Sequence, residues 1–286
     1  MKNAMKKIGI VTKGGIPGAV DILRGFLPWL KERGLEAALD EDAAGALGIR
    51  GHPRAGIPAL SDMVVVFGGD GTMLSVARLV CERGIPILGV NLGGLGFITE
   101  VSREQLYEAM ERVLAGDCPY EERMMLNAVI RRHGEQIAEY TVLNDVVINR
   151  GATSKLIDIE SYVGRALMTT FRADGLIAST PTGSTAYSLS AGGPVLYPTV
   201  ESIVLTPICS HTLAIRPIVL PPDVEIEIKP ITRAAEAFLS MDGQVGFSLR
   251  QKDSVIIRKS PFKTKLLLPF ERDFFQVMRE KLRWGG

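Results

Sequence analysis

Short apolar runs of strand length alternate with stretches of helical period over roughly the first 118 residues of the chain. Residues 7–12 (KIGIVT), 64–67 (VVVF) and 86–91 (PILGVN) read as strands buried on both faces, and 35–39 as a shorter one. Residues 19–33 and 103–114 place apolar positions at i, i+3, i+4 spacing, the first ended by Gly34. The pattern predicts a parallel sheet covered by helices, with ligand loops at the carboxyl ends of the strands. Residues 40–58 are rich in Gly and Pro without a period and are expected to form a loop.

Past residue 120 the period changes to strand-like runs at 123–132, 139–149, 156–163 and 166–171, with hairpin signals at His133-Gly134-Glu135 and Gly164. Further strands are expected at 224–229, 237–241, 245–249, 254–259 and 264–268, followed by a helical tail at 271–283. The fold class expected is therefore an α/β N-terminal domain with a parallel sheet plus a β-rich, sandwich-like C-terminal domain. The boundaries expected are 1–120, 121–265 and a C-terminal tail at 266–286.

With 286 residues, 46% hydrophobic and 23% charged, the chain has the composition of a globular protein of about two domains. A net charge of +1 gives no footprint for nucleic acid or anionic lipid, which favours small ligands. Cys81, Cys118 and Cys209 stand far apart and are expected as buried thiols rather than a disulfide framework or zinc site. The first apolar run is too short for a signal peptide, and none reaches membrane-spanning length, so a cytoplasmic location is expected.

The chemistry concentrates first in Phe67-Gly68-Gly69-Asp70-Gly71-Thr72, a glycine turn between a buried strand and a helix expected at 72–79. Glycines let backbone N–H groups approach a ligand, and with the positive end of the helix they favour phosphate, which assigns Gly68, Gly69, Gly71 and Thr72 to phosphate binding. Asp70 would repel a phosphate beside it. Its plausible roles are to take a proton from an attacking hydroxyl or to hold a metal that bridges phosphates. Taken alone, the turn is equally compatible with a solvated surface bend. It is neither a Gly-x-Gly-x-x-Gly fingerprint nor a Walker A loop. A second glycine loop, Leu92-Gly93-Gly94-Leu95-Gly96-Phe97, is expected to face the same crevice. The stretch 171–194, crowded with hydroxyls around a Gly/Pro turn, suits ribose and base edges, and Asp174 can accept from a ligand hydroxyl, although taken alone the stretch reads more readily as a Ser/Thr-rich surface loop.

These segments together resemble the NAD kinases: Gly68-Gly69-Asp70-Gly71-Thr72, Asn91 through Phe97, Asn144-Asp145, Asp174-Gly175-Leu176-Ile177 through Ser190-Ala191-Gly192-Gly193-Pro194, His211-Thr212-Leu213 with Arg216-Pro217, and Asp242-Gly243-Gln244. The resemblance implies transfer of a phosphoryl group from ATP or polyphosphate to the 2′-hydroxyl of the adenosine ribose of NAD, giving NADP. It also implies a divalent cation such as Mg²⁺, NAD held between the domains, a tail that returns to the first domain, and assembly as a dimer or tetramer.

Carried onto this chain, the resemblance makes Asp70 the catalytic base. It places Gly71, Asn144, Asp145, Lys155, Arg172, Asp174, Thr185, Ala186, Tyr187, Ser188, Leu189, Ser190 and Gln244 at the dinucleotide. Many relatives have Glu where Asp145 stands, and many have a basic residue where Ser75 stands; Arg78 is the nearby substitute. His211 is read as fixing a loop rather than as a base. No cluster has metal-ligand spacing, so a cation is expected to arrive with the phosphates. The other readings are a lipid or sugar kinase sharing only the glycine turn, and a dinucleotide-binding regulator without chemistry.

Overall fold

The computed structural model describes residues 5–15, 18–94, 96–99, 101–151, 156–212, 214–231, 237–271 and 273–283. The chain forms two compact units, one of Met1–Glu122 with Thr264–Gly286, the other of Arg123–Lys263.

The first unit runs β1 (Lys7–Thr12), α1 (Ala19–Glu32), β2 (Glu36–Leu39), α2 (Glu41–Ala46), a 3-10 segment (Arg54–Leu60), β3 (Met63–Phe67), α3 (Asp70–Val80), β4 (Ile87–Asn91), β5 (Val101–Ser102) and α4 (Leu106–Ala115). Strands β2, β1, β3 and β4 pair in that order, all parallel. Every residue of β3 and β4 is buried, as expected for strands covered on both faces. Ile8, Ile10, Leu23, Phe26, Leu30, Met63, Val65, Phe67, Leu88, Val90, Leu106 and Met110 form the core. Because β3 and β4 run the same way, the two glycine loops leave the sheet side by side, and Gly68 N–H donates to Val90 C=O at 3.0 Å.

The second unit adds β6 (Tyr120–Arg132), β7 (Glu135–Val142), β8 (Asp145–Asn149), β9 (Ile157–Val163), β10 (Ala166–Ala173), β11 (Gly175–Ser179), a 3-10 turn (Gly183–Thr185), α5 (Tyr187–Ser190), β12 (Ile203–Ile208), β13 (Ile218–Leu220), β14 (Ile226–Pro230), β15 (Ala237–Met241), β16 (Val245–Leu249) and β17 (Asp253–Leu267); α6 (Phe274–Leu282) follows. One antiparallel sheet has the order β13-β12-β11-β8-β15-β16. On the other, β10, β9, β14 and β17 pair in sequence, also antiparallel. Ile148, Leu176, Leu205 and Leu239 from the first sheet and Ile159, Ile226, Ile228, Val255 and Ile257 from the second share one apolar cluster, the sandwich-like core expected. The α/β class with a β-rich companion is thus the fold observed.

Several elements differ from the pattern-based reading. Residues 40–58 are not a loop throughout. Buried Asp40 accepts a hydrogen bond from Ala43 N–H at 2.8 Å and caps α2, and Arg54 bridges Asp40 and Asp42 beside the 3-10 segment. The helix after the glycine turn opens at Asp70 rather than Thr72. The run 139–149 is interrupted at Leu143 and Asn144, whose N–H groups turn to Asp242. Asp253–Leu267 form one strand where two were expected, at 254–259 and 264–268, and β11, β12 and β13 lie where no strand was expected. Of the cysteines, all free, Cys81 is buried, Cys118 half-buried and Cys209 exposed, so the expectation of three buried thiols holds in full only at Cys81 and fails at Cys209. Among the described residues no helix is long and apolar enough to cross a membrane.

Candidate functional site

In the first unit the site is built around Asp70. Gly69, with extended backbone (φ −98°, ψ −173°), is the N-cap of α3, and its C=O accepts from Thr72 N–H at 3.0 Å. Asp70 is thereby the first helical residue, where the helix dipole favours a negative charge. Its half-buried carboxylate is held by the second glycine loop: Phe97 N–H donates to Oδ2 at 2.9 Å, Ile98 N–H to Oδ1 at 3.3 Å and Thr99 Oγ1–H to Oδ1 at 3.1 Å.

Asn91, at the end of β4, pins that loop in turn. Its Nδ2 donates to Thr99 Oγ1 at 3.0 Å and to Gly94 C=O, and its Oδ1 accepts from Gly93 N–H at 2.7 Å. The loop approaches so closely that a Cβ on Gly96 would collide with Asp70 Oδ1 and Thr99 Oγ1. Gly68 and Thr72 are buried, whereas Gly69 and Gly71 are exposed and leave the backbone of the turn accessible. Ser75 is spent locally, its Oγ donating to Thr72 C=O at 2.7 Å. Among the described residues no group of His, Cys, Asp and Glu has the arrangement of a metal cage.

The second unit carries a cavity of about 330 Å³, lined by Asn144, Asp145, Val147, Asn149, Ala186, Tyr187, Ser240, Asp242 and Gly243. Strand alternation puts Asp145, Val147 and Asn149 on one face of β8. Ser240 comes from the facing position on β15, opposite Val147. Asp145 is 4% exposed, and burial, with the nearby charge of Asp242, pushes its carboxyl from 3.8 to about 7. Asn144 Oδ1 is buried and has no hydrogen-bond partner. A ligand donor would satisfy it.

The remaining expected positions lie off this wall. Arg172 is exposed on β10, 3.9 Å from Asp158, and Asp174 is paired with Arg150 at 3.0 Å. Thr185 Oγ1 donates to Thr182 C=O at 3.1 Å, and Ser188 is fully buried with its hydroxyl 2.8 Å from Thr206 Oγ1. Leu189 is half-buried, Ser190 is exposed, and Gln244 sits in the β15–β16 turn with its N–H donating to Met241 C=O at 3.0 Å. Lys155 lies outside the described residues. His211 is exposed and fixes its segment through its backbone, donating to Arg172 C=O at 2.9 Å.

Sequence reasoning did not assign Asn91, Thr99, Val147, Asn149, Arg150, Ser240 or Asp242. The two-residue period of β8 pointed at Val147 and Asn149 once Asp145 was chosen. Asn91 and Asp242 stood in segments that carry the family resemblance but were given no role there, because the partners that define one lie far away in sequence.

Comparison with known proteins identifies the family of the chain. Residues 8–118 match the ATP-NAD kinase N-terminal domain and residues 143–268 the ATP-NAD kinase C-terminal domain. The chain is 48% identical over 283 residues to the NAD kinase of Syntrophotalea carbinolica, covering 98% of this chain and 99% of that one. It is 47% identical over 282 residues to the NAD kinase of Geobacter sulfurreducens, with the same coverage. Among solved structures, yeast NADH kinase complexed with NADH aligns with a TM-score of 0.92 at 25% identity, covering 100% of this chain and 89% of that one. An NAD kinase from Archaeoglobus fulgidus in complex with ATP aligns with a TM-score of 0.78 at 26% identity, covering 98% and 100%. With both domain families matched in order and near-half identity along almost its whole length, the chain belongs to the NAD kinase family.

Proposed function

We propose that the protein transfers the terminal phosphoryl group of ATP to the 2′-hydroxyl of the adenosine ribose of NAD, giving NADP, with Asp70 as the base that accepts the hydroxyl proton. The observation that carries this reading is the setting of Asp70. Its carboxylate is fixed by Phe97 N–H, Ile98 N–H and Thr99 Oγ1–H at the start of a helix whose first turn is glycine-lined. A fixed carboxylate beside the exposed glycines of a helix N-terminus can take a proton while the helix end accommodates phosphate. Asn144, Asp145, Ala186 and Tyr187, which share one cavity, are the groups to which we assign dinucleotide binding. Gly68, Gly69, Gly71 and Thr72 are assigned to the phosphates.

The family implies a divalent cation, and the residues present are compatible with one that arrives on ATP. Mg²⁺ typically keeps water and phosphate ligands and takes one or two carboxylates, and Asp70 is the carboxylate at the turn. Bound there, it would neutralise charge on the transferring phosphoryl group.

The test is NADP formation by the purified protein from NAD, ATP and Mg²⁺. Asp70→Asn is expected to lower kcat about a hundredfold to ten-thousandfold with affinity for NAD retained. Wild-type turnover in that variant would remove Asp70 from the role.

A further inference from the structure

Leu143, Asn144 and Asp145 present three consecutive backbone N–H groups between β7 and β8. All three point to one carboxylate: Leu143 N–H donates to Asp242 Oδ2 at 3.1 Å, and Asn144 and Asp145 N–H donate to Oδ1 at 2.7 and 3.2 Å. Asp242 closes the ring by donating its own N–H to Asp145 C=O at 2.9 Å. A run of N–H groups of this kind is an anion-binding concavity, here filled from within the protein.

Asp242 reaches it because the β15–β16 hairpin turns through two left-handed residues, Asp242 (φ 51°) and Gly243 (φ 64°), as in a type I′ turn. Asp and Asn are the side chains that tolerate that backbone best after glycine. The other side of the segment is clamped too, with Thr180 N–H donating to Asn144 C=O at 2.9 Å and Thr180 Oγ1 to Leu143 C=O at 2.6 Å. With its backbone fixed on both sides, the segment turns two side chains to account: Asp145 on the cavity wall, and Asn144 with its unpartnered Oδ1.

We propose that Asp242 is a positioning residue for dinucleotide binding, holding Asn144 and Asp145 in the geometry that receives the ligand without contacting the reacting atoms. This inference rests on the function proposed above. Three charge-assisted bonds to one buried carboxylate tie the wall of the cavity to the hairpin turn, so loss of that carboxylate loosens binding rather than chemistry. The same carboxylate tunes its neighbour. The titratable groups lining the cavity are Asp145 from β8, Asp242 from the β15–β16 turn and Tyr187 from α5, with no basic side chain on the wall among the described residues. Burial, and after it the charge of Asp242, keep Asp145 protonated up to about pH 7. Removing that charge moves its ionisation to lower pH.

The experiment compares wild type, Asp242→Ala and Asp242→Asn. Asparagine accepts the left-handed backbone and keeps one oxygen for Asn144 and Asp145 N–H, but removes the charge. Asp242→Ala is expected to raise KM for NAD at least about tenfold while kcat and KM for ATP stay within about threefold. Asp242→Asn is expected to recover most of that loss, and to shift the inflection in KM for NAD from near pH 7 to lower pH. An unchanged KM for NAD in Asp242→Ala, or a parallel rise in KM for ATP, overturns the proposal. If Asp242→Ala does not fold, the position of the inflection in Asp242→Asn decides alone, and an unmoved one overturns it.

Amide hydrogen exchange at residues 143–145 without substrate separates this inference from the functional reading. Faster exchange in Asp242→Ala supports the positioning role even for a protein that makes no NADP, and unchanged exchange overturns it.

Discussion

Replacing Asp145 by Asn is expected to favour the folded state increasingly as the pH rises, by roughly 3 kcal/mol between pH 5 and pH 8.5 relative to wild type. The carboxyl ionises near 3.8 in the unfolded chain and near 7 in the folded one, because burial removes its water and Asp242 adds a like charge. Between those values the folded protein holds a proton that the unfolded chain has already lost. The group's contribution to stability therefore falls from about pH 4, continues to fall through about pH 7 and levels off above it.

The full span corresponds to about 4 kcal/mol at 1.36 kcal/mol per pKa unit, of which a little over a third is already lost at pH 5. Asp145 is 4% exposed, so solvent screening does not reduce the figure substantially. Asn has the same shape and does not ionise, and the other titrating groups are shared by both proteins. Urea denaturation of the two at pH 5 and pH 8.5 measures the difference directly. A difference between the proteins that stays constant within about 0.5 kcal/mol, or that moves in favour of wild type as the pH rises, would refute the assignment of a raised Asp145 pKa.

Gly96→Ala would drive a Cβ into Asp70 Oδ1 and Thr99 Oγ1. It is expected to cost about 1–3 kcal/mol of stability, read in a denaturation curve, and to lower kcat in the NADP-formation assay by displacing the carboxylate. Arg132 donates to the carboxylate of Asp253 at 2.9 and 2.7 Å, and the Asp253 side chain has no exposure. Arg132→Ala leaves that charge unpaired and is expected to lower stability at neutral pH, measured by urea unfolding. Burial raises the Asp253 pKa, but hydrogen bonds from Arg132 and from Arg250 N–H outweigh it and the net shift is downward. The pair's contribution is therefore present above the ordinary carboxylate value of 3.8 and disappears on acidification through the lower folded value, so the difference between variant and wild type should narrow there.

The parts of the fold legible in the sequence were those whose cause is local. Residues 63–67 are buried on both faces and read as an unbroken apolar run, and α1 carries its core face at helical spacing. Local causes were also missed where they are brief. Asp40 caps a helix of only six residues, Glu41–Ala46, too short to show a period. The break at Leu143 and Asn144 was not legible, because the carboxylate that takes their N–H groups lies 99 and 98 positions further along. The glycine turn announced itself as a phosphate-binding candidate through composition. What holds Asp70 in place depends on Phe97, Ile98 and Thr99, which become its neighbours only once β3 and β4 lie parallel.

The strand Asp253–Leu267 begins in the second unit and ends in the first, where Leu266 pairs with Ile87 of β4 and Leu267 joins the core. Further on, Pro269 C=O accepts from Arg112 at 3.0 Å, and Val277 and Met278 are buried. A nascent chain leaving the ribosome would therefore carry β4 paired with β3 and, at Val90 and Asn91, with β5, while its Ile87 end stays unpaired on that flank until Leu266 emerges. Assembly of the first unit therefore waits for residues 264 onward, and the uncovered end of its sheet is the surface a chaperone would have to shield in the meantime.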